Sequence, residues 1–270
     1  MSFYTSLNGL KNAQTDLGVI AHNIANVETG GFKRSRTEFG DIVASSAQSN
    51  PRMTVGIGAA VEAVTQDFGA GAVEQTGATL DLAITGDGFF TTRSAKSGET
   101  QFTRYGRFEL DQNGFVQDGM GNRLQIFAAD GAGIIAGGVP GDTQVAPTNA
   151  AGARFAGIAI DGEGLVQATY TDGSVTTLGA VALAQFTTPT GLRQVGSSNW
   201  QTTGLSGQPA YGQPGEGGYG RLMSGALERS NVDLGEELVG LITAQRNFQA
   251  NAKAIDTATQ LSQTLINLRS

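Results

Sequence analysis

Apolar side chains recur at helical spacing at both ends of the chain, in alternating steps of three and four residues. The amino-terminal series is Phe3, Leu7, Leu10, Gln14, Leu17, Ala21 and Ile24. The carboxy-terminal series is Leu234, Leu238, Leu241, Gln245, Phe248, Ala252 and Ile255. Such steps place each series along one stripe of a helix. The pattern therefore predicts one amphipathic helix at each terminus.

The two predicted helices differ in length and in their start signals. The first, over about 3–27, contains Gly9 and Gly18, each of which costs about 1 kcal/mol relative to alanine, so we expect it to need packing to persist. The second begins with Asp233 and Glu236, a capping box, and extends roughly 36 residues, about 54 Å. After Ile255 its stripe shifts phase, which could redirect the contact to a different neighbour. The shifted positions are Ala258, Leu261, Leu265 and Leu268.

Between about 55 and 205 the apolar period changes to two. Leu80, Leu82 and Ile84 alternate with other residues at strand spacing. Residue pairs that favour hairpin turns then recur. They are Asp87-Gly88, Asn113-Gly114, Asp118-Gly119, Asp161-Gly162 and Asp172-Gly173. We therefore predict an α+β fold, in which the terminal helices pack as a coiled coil and a hairpin-rich all-β domain lies between them.

The pattern also divides the chain into three parts. Residues 1–28 and 231–270 form a terminal helical domain, residues 29–70 an extended linker, and residues 71–230 a β-rich domain. Within the linker, residues 44–53 are polar and contain Asn50-Pro51, which predicts a loop.

Composition excludes several classes of function. The net charge of −7 offers no basic face for nucleic acid. The absence of cysteine excludes disulfides and thiolate metal sites. No window approaches the roughly 18–20 apolar residues of a membrane span. The amino end lacks the features of an ordinary secretory signal, so export would require a dedicated exporter.

Candidate chemistry is sparse. His22 is the single histidine, and we expect it to be a surface or interface side chain. The Gly86-Asp87-Gly88 turn lacks phosphate-loop spacing, so we interpret it as a hairpin turn. The acidic turn at 161–164 lacks the later glutamate of a calcium loop. We predict no catalytic residue, cofactor, metal site or small-molecule substrate.

Two features favour assembly instead. The basic cluster Lys33, Arg34 and Arg36 could contact an acidic neighbour. The helical stripes could form an ordinary intramolecular core, but their place at the extreme ends favours contacts between copies. We predict a polymerisation seam of Phe3, Leu7, Leu10, Leu17, Ile24, Leu234, Leu238, Leu241, Phe248, Ile255, Leu265 and Leu268.

Three groups of strings, in order along nearly the whole chain, resemble the bacterial flagellar axial family of rod and hook proteins. The amino-terminal strings are SLNGL at 6–10, LGVIAHNIAN at 17–26 and TGGFKR at 29–34. The central strings are LDLAI at 80–84 and GDGFF at 86–90, and the carboxy-terminal ones are ALERSNVDL at 226–234 and AQRNFQAN at 244–251. One departure is His22, where the family usually has asparagine.

The resemblance implies a homopolymeric tube in the bacterial flagellum, with the terminal helices as the inner layer and the β domain outside. It also implies type III export with disordered ends, and contacts with adjacent rod or hook-filament junction proteins and the hook cap. The positions that match the family motifs are Asn23, Asn26, Gly31, Phe32, Lys33, Ser230, Asn231, Val232, Gln245 and Arg246.

Within the family, residues 37–41 and 66–68 look most like the hook protein, the flexible joint that transmits torque. The link between Phe39 and Gly56 is also shorter than the insert of the distal rod protein. The overall length suits a distal rod protein, the rigid drive shaft of the basal body. We expect a short form of hook protein, with distal rod as the alternative. A secreted β-rich fibre subunit is the competing class, and an enzyme that uses His22 is a more distant one.

Overall fold

The computed structural model describes residues 2–44, 55–130 and 138–267, and the chain divides into two compact units. The first, here the helical unit, comprises Met1–Val27, Arg34–Asp67 and Val232–Ser270. The second, here the β unit, comprises Glu28–Lys33 and Phe68–Asn231. Two terminal helices and a mostly β middle confirm the α+β class. The predicted loop at 44–53 lies, apart from Ala44, outside the described residues.

The helical unit contains α1 (Ser2–Ala25), β1 (Ser35–Ala44), β2 (Val55–Gln66) and α2 (Leu234–Asn267). The strands form an antiparallel pair within the segment predicted as a linker. Helix α1 packs against α2 and against both strands.

The buried face of α1 differs from the predicted stripe. Ala13, Ile20 and Asn23 are buried, whereas Gln14 and Ala21 are exposed. The buried stripe therefore begins one residue earlier than the predicted one. The physical reason is that α1 packs on the strand pair as well as on α2.

Helix α2 starts where its capping signal predicted. Asp233 Oδ1 accepts a hydrogen bond from the backbone N–H of Glu236 at 3.0 Å, which satisfies a free donor of the first turn. The second half of the predicted capping box is wrong. The carboxylate of Glu236 accepts a hydrogen bond from Arg34 Nη1 at 2.7 Å instead of reaching back to the backbone of Asp233.

Strands β3 to β19 make up the β unit, and all of their described pairings are antiparallel. Their bounds are β3 Val73–Gln75, β4 Asp81–Thr85, β5 Phe89–Ser94, β6 Thr100–Thr103, β7 Gly106–Leu110, β8 Val116–Asp118, β9 Asn122–Ala128, β10 Gly141–Asp142, β11 Phe155–Ile160, β12 Leu165–Tyr170, β13 Val175–Val181, β14 Leu183–Gln185, β15 Arg193–Gly196, β16 Asn199–Gln201, β17 Ala210–Gly212, β18 Arg221–Ser224 and β19 Ala226–Glu228. A short 3-10 turn lies at Pro189–Gly191.

Strand β9 is the centre of this topology. It pairs with β5, β8, β10 and β13, and the main path runs β15-β16-β6-β5-β9-β8-β7-β4-β18. Strands β3 and β19 form a separate pair. Branches at β9 and at β5, which also pairs with β14, join fifteen strands into one hydrogen-bonded network.

Four of the five predicted hairpin turns are confirmed. They connect β7 to β8, β8 to β9, β11 to β12 and β12 to β13, each an antiparallel pair. The turn at Asp87-Gly88 is wrong as a hairpin, because β4 pairs with β7 and β18 while β5 pairs with β6, β9 and β14. Its backbone instead accepts a hydrogen bond from Gly220, whose N–H lies 2.8 Å from the Asp87 oxygen.

The main apolar core lies inside the β unit. Leu82, Phe90, Val181 and Leu183 are each 0% exposed and belong to one cluster. A second cluster surrounds Trp200. Burying one such side chain stabilises the fold by about 1.5–3 kcal/mol. The β unit therefore contains an apolar core of its own.

Candidate functional site

The predicted seam positions fall into two groups on α2. Leu241, Phe248 and Ile255 are partly buried. Leu234 and Leu238 are 44% and 45% exposed. The side chain of Leu265 and the whole of Leu268 lie outside the described residues.

On α1 the seam is more uniform. Leu7, Leu10, Leu17 and Ile24 are partly buried, and Phe3 is 42% exposed. These positions therefore lie at the border of the α1 packing surface, not at its centre.

Helix α2 presents a continuous apolar surface, which we call the outer face: Leu234, Leu238, Val239 and Ile242. Val239 and Ile242 are 66% and 50% exposed. At 100° per residue these four side chains occupy one arc of the helix. An exposed apolar patch of this kind is typical of surfaces that bind another molecule.

Val239 and Ile242 were not among the predicted seam positions. The predicted seam is a single stripe of alternating three- and four-residue steps, whereas the apolar arc of α2 is wider than one stripe. The spacing of Leu234, Leu238 and Ile242 in steps of four is the signal that would have found the outer face.

Most of the predicted motif residues have roles inside the subunit. Asn23 is 1% exposed and makes three hydrogen bonds. Its Oδ1 accepts from the Ser35 N–H at 2.9 Å, and its Nδ2 donates to the Ser35 oxygen at 2.8 Å and to Glu237 Oε2 at 3.2 Å. Asn23 thereby fixes the end of α1 to the start of β1 and the first turn of α2.

The remaining amino-terminal motif positions close a turn. Asn26 Nδ2 donates to the His22 oxygen at 2.9 Å. Gly31 has a φ of 64°, and a Cβ there would lie 2.6 Å from the Tyr105 nitrogen, so this position requires glycine. Phe32 is 2% exposed. These residues shape the chain as it leaves α1.

Lys33 is the centre of a buried ionic cluster in the β unit. Its Nζ donates to Glu228 Oε1 at 2.6 Å and to the Gly69 oxygen at 2.7 Å, and its side chain is 0% exposed. Glu228 also accepts from Arg104 Nη1 at 3.4 Å and from the Gly71 N–H at 2.8 Å. Burial lowers the pKa of Arg104 from its ordinary value, and the nearby Glu228 and Asp87 carboxylates oppose that change.

The predicted basic cluster does not act as one surface. Lys33 is fully buried, so its charge is not available to another molecule. Arg34 makes ion pairs with Glu236 at 2.7 Å and with Asp67 at 3.5 Å. Only Arg36 of the three is exposed.

The carboxy-terminal motif positions divide between the two units. Ser230 and Val232 are buried. Asn231 Nδ2 donates to the Gly69 oxygen at 3.1 Å. Gln245 and Arg246 are exposed on α2 and are available to a partner.

The surroundings of His22, the candidate catalytic residue, do not resemble an active site. His22 is exposed, and Asn26 is its neighbour at 3.4 Å. Over the part of the chain that the structure describes, no group of three or more histidine, cysteine, aspartate or glutamate side chains could hold a metal ion. Within the same residues, no helix has the length and apolarity needed to cross a bilayer.

Three family models match successive parts of the chain. "Flagella basal body rod protein" matches residues 3–33, "Flagellar hook protein FlgE/F/G D1 domain" matches 83–181, and "Flagellar basal body rod FlgEFG protein C-terminal" matches 223–268. The flagellar basal-body rod protein FlgG of Bacillus subtilis is 36% identical over 280 residues, covering 99% of this chain and 98% of that protein. The chain belongs to the flagellar rod and hook family.

Two further relatives show the range of this family. FlgG of Caulobacter vibrioides is 36% identical, with 98% of each chain covered. The flagellar hook protein FlgE of Salmonella typhimurium is 26% identical, and the alignment extends over 411 positions to cover both chains completely. Because this chain has 270 residues, long stretches of the hook protein have no counterpart in it.

Family membership makes this chain a structural component of the bacterial flagellum, in its rod or hook, and the three matching models describe no enzyme family. It confirms the predicted flagellar family. The higher identity to the FlgG proteins also favours the distal rod, the alternative prediction, over the hook.

Proposed function

We propose that this chain is the subunit of the distal rod of the flagellar basal body, a rigid drive shaft. The observation that supports this most strongly is full-length similarity to rod proteins named FlgG, at up to 36% identity over 98–99% of both chains. Similarity to the hook protein is lower and requires a much longer alignment. The hook remains the second candidate, because that hook protein aligns with the whole chain.

The proposed assembly mechanism uses the terminal helices. In it, α1 and α2 pack as a coiled coil that lines a tube, and the predicted seam extends that packing to neighbouring copies. The outer face of α2 supports this, because four large apolar side chains would be removed from water by such a contact. Burial of apolar surface contributes about 25 cal/mol per Å².

A second apolar surface lies on the β1–β2 pair. Phe39, Val43 and Val64 are between 46% and 48% exposed. We propose that these side chains contact adjacent subunits and add a second point of attachment. A shaft that must resist bending is stiffer when neighbours are held at more than one surface.

The proposed partners follow from a position in the rod. They are further copies of this chain, the adjacent rod and hook-junction proteins, an assembly cap and the type III export apparatus. In the proposed assembly the terminal helices complete their packing only against neighbouring copies, and the cost of ordering them fully makes assembly cooperative. The domain boundaries predicted from the sequence remain part of this proposal, with residues 1–28 and 231–270 inside and 71–230 outside.

Imaging of the purified polymer tests the choice between rod and hook. We expect straight, rigid tubes by electron microscopy. Curved tubes that change their bend would favour the hook. Compact particles of fixed stoichiometry would contradict both and favour a preassembled fibre subunit.

A further inference from the structure

Arg104 is a buried arginine with more hydrogen-bond donors than partners. Its side chain is 4% exposed. Its contacts among the described residues are the 3.4 Å hydrogen bond from Nη1 to Glu228 and a position 5.3 Å from the centroid of the Phe89 ring. A guanidinium has five N–H donors, and Nε is buried without a partner among the described residues. Burying an unpaired polar group costs free energy. A further hydrogen-bond acceptor beside Arg104 would remove that cost.

The charges around Arg104 point to an anionic acceptor. Lys33 and Arg104 both pair with the single carboxylate of Glu228, and the Lys33 contact is the shorter at 2.6 Å against 3.4 Å. Glu228 Oε1 also accepts from the Gly71 N–H. Glu228 therefore compensates mainly Lys33. The other carboxylate near Arg104 is that of Asp87, which is exposed and screened by solvent, so the buried positive charge on Arg104 is compensated only in part.

Arg104 lines a recess of about 230 Å³ in the β unit. Phe68, Phe89 and Phe186 form apolar walls, and the exposed Asp87 lies at the rim. This volume is below the roughly 300–1,000 Å³ typical of sites for drug-sized ligands, and it suits one side chain. Apolar walls also strengthen a charge interaction, because they lower the local dielectric constant.

We propose that this recess binds a carboxylate side chain of a second copy of the chain. The carboxylate would accept hydrogen bonds from Arg104 Nε and a neighbouring Nη in the forked geometry that arginine favours. Charge complementarity supports this occupant, because the chain has 24 acidic and 17 basic residues. Exposed carboxylates of the β unit include Glu109, Glu163 and Glu216. The inference rests on the proposed self-assembly and assigns one of its contacts.

Acetate tests the chemistry of the recess on the full-length free chain, with chloride at equal ionic strength as the control. The readouts are the NMR signal of the Arg104 Nε–H and the fluorescence of Trp200. Trp200 is the single tryptophan, with its ring 5.6 Å from Phe68 and 5.9 Å from Phe89. We expect a saturable response in the wild type that Arg104→Gln abolishes. A wild type without a saturable response would overturn the proposal.

Two further variants serve as controls for the acetate experiment. Arg107→Gln removes an exposed arginine of β7 and should keep the full response. Arg104→Lys keeps the charge beside Glu228 if Arg104→Gln fails to fold, and it should weaken the acetate response because lysine lacks the fork.

Asp87→Asn separates an external carboxylate from an internal one. If a second copy supplies the carboxylate, the wild type binds acetate, and removing the rim charge strengthens binding by about fivefold through lost repulsion. Saturable binding that appears only after Asp87→Asn would mean that Asp87 itself fills the recess, and it would overturn the proposal.

The occupant is tested in the polymer. We expect Arg104→Gln to raise the critical concentration for polymerisation by about tenfold or more, as loss of a charge-assisted hydrogen bond implies, and Arg107→Gln to leave it unchanged. An unchanged critical concentration for a folded Arg104→Gln variant would overturn this inference alone. A wild type that forms no polymer would instead contradict the proposed function, and with it a second copy as the occupant.

Discussion

At the scale of single residues, the most consequential feature is the buried pair of Lys33 and Glu228. The two residues are 195 positions apart in sequence and 2.6 Å apart in space. The sequence marked Lys33 by its place in a family motif and grouped it with Arg34 and Arg36 as a basic surface. Periodicity along a chain cannot show which distant carboxylate a lysine will meet, so its burial became visible only in three dimensions.

We predict that Lys33→Met destabilises the β unit by about 3–5 kcal/mol, because it leaves Glu228 buried with a weaker set of partners. Urea unfolding followed by the fluorescence of Trp200 measures this change. Lys96→Met, which removes an exposed lysine of the same unit, is the matched control and should change stability by less than about 0.5 kcal/mol. Equal effects of the two substitutions would show that the buried pair contributes nothing.

At the scale of elements, the sequence predicted both helices and most hairpins, because periodicity and turn chemistry are local. It wrongly predicted a hairpin between β4 and β5. These strands pair with other strands, and some of those lie far away in the sequence. It also placed the buried stripe of α1 one residue late. The β1–β2 pair helps to bury α1, but the segment that contains this pair was predicted to be a linker. Local patterns therefore predict which elements form more reliably than they predict which face of each element is buried.

The two glycines of α1 are predicted to respond differently to alanine. A Cβ on Gly18 meets open space, so Gly18→Ala should increase stability by up to about 1 kcal/mol through helix propensity. A Cβ on Gly9 would lie 2.5 Å from Asn251 Oδ1 of α2, so Gly9→Ala should gain less or be destabilising. Helical content by far-UV circular dichroism during urea titration compares them. Identical gains would contradict the close approach of α1 and α2 at Gly9.

The turn aspartates predict a dependence of stability on pH. Hydrogen bonds from the Phe115 N–H and from Ser174 hold the pKa values of Asp111 and Asp172, respectively, below their usual range. Because the folded-state pKa values are depressed, their stabilisation is present above the unfolded pKa of about 3.9 and is lost as the pH falls through the folded values.

We therefore expect Asp111→Asn and Asp172→Asn to flatten the fall in thermal midpoint between about pH 5 and pH 2. Thermal unfolding across that range measures the slope. Glu109→Gln, which removes an exposed carboxylate of β7, controls for the loss of one negative charge. A slope unchanged from the wild type in both aspartate variants would contradict the role of these turns.

Substitutions on the outer face of α2 should weaken assembly without affecting the folding of the subunit. We predict that Leu238→Ser together with Ile242→Ser weakens polymerisation by tenfold or more, because two exposed apolar side chains no longer leave water at the proposed contact. The isolated subunit should keep its stability, since both positions are about half exposed.

Leu241→Ala is the contrasting variant, because Leu241 is partly buried within the subunit. It should lower the stability of the helical unit. Sedimentation gives the polymerised fraction and circular dichroism gives the helicity. Normal polymerisation of the Leu238→Ser, Ile242→Ser variant would exclude the outer face as a contact.

At the scale of the whole molecule, the sequence identified the family and favoured the hook within it, with the distal rod as the alternative. Short strings at 37–41 and 66–68 indicated the hook, whereas similarity over the full length favours the rod. The structure places residues 37–41 in β1, a strand with exposed apolar residues. Rod and hook would differ in how neighbouring subunits contact one another, and one subunit does not contain that information.

If copies of this chain join through the terminal helices, a residue-resolved cryo-electron microscopy map of the polymer will show the contact. We predict a straight tube in which Leu238, Val239 and Ile242 of each copy are buried against a neighbouring copy. A tube in which these three side chains remain in contact with water would show that the subunits do not join through this face of α2.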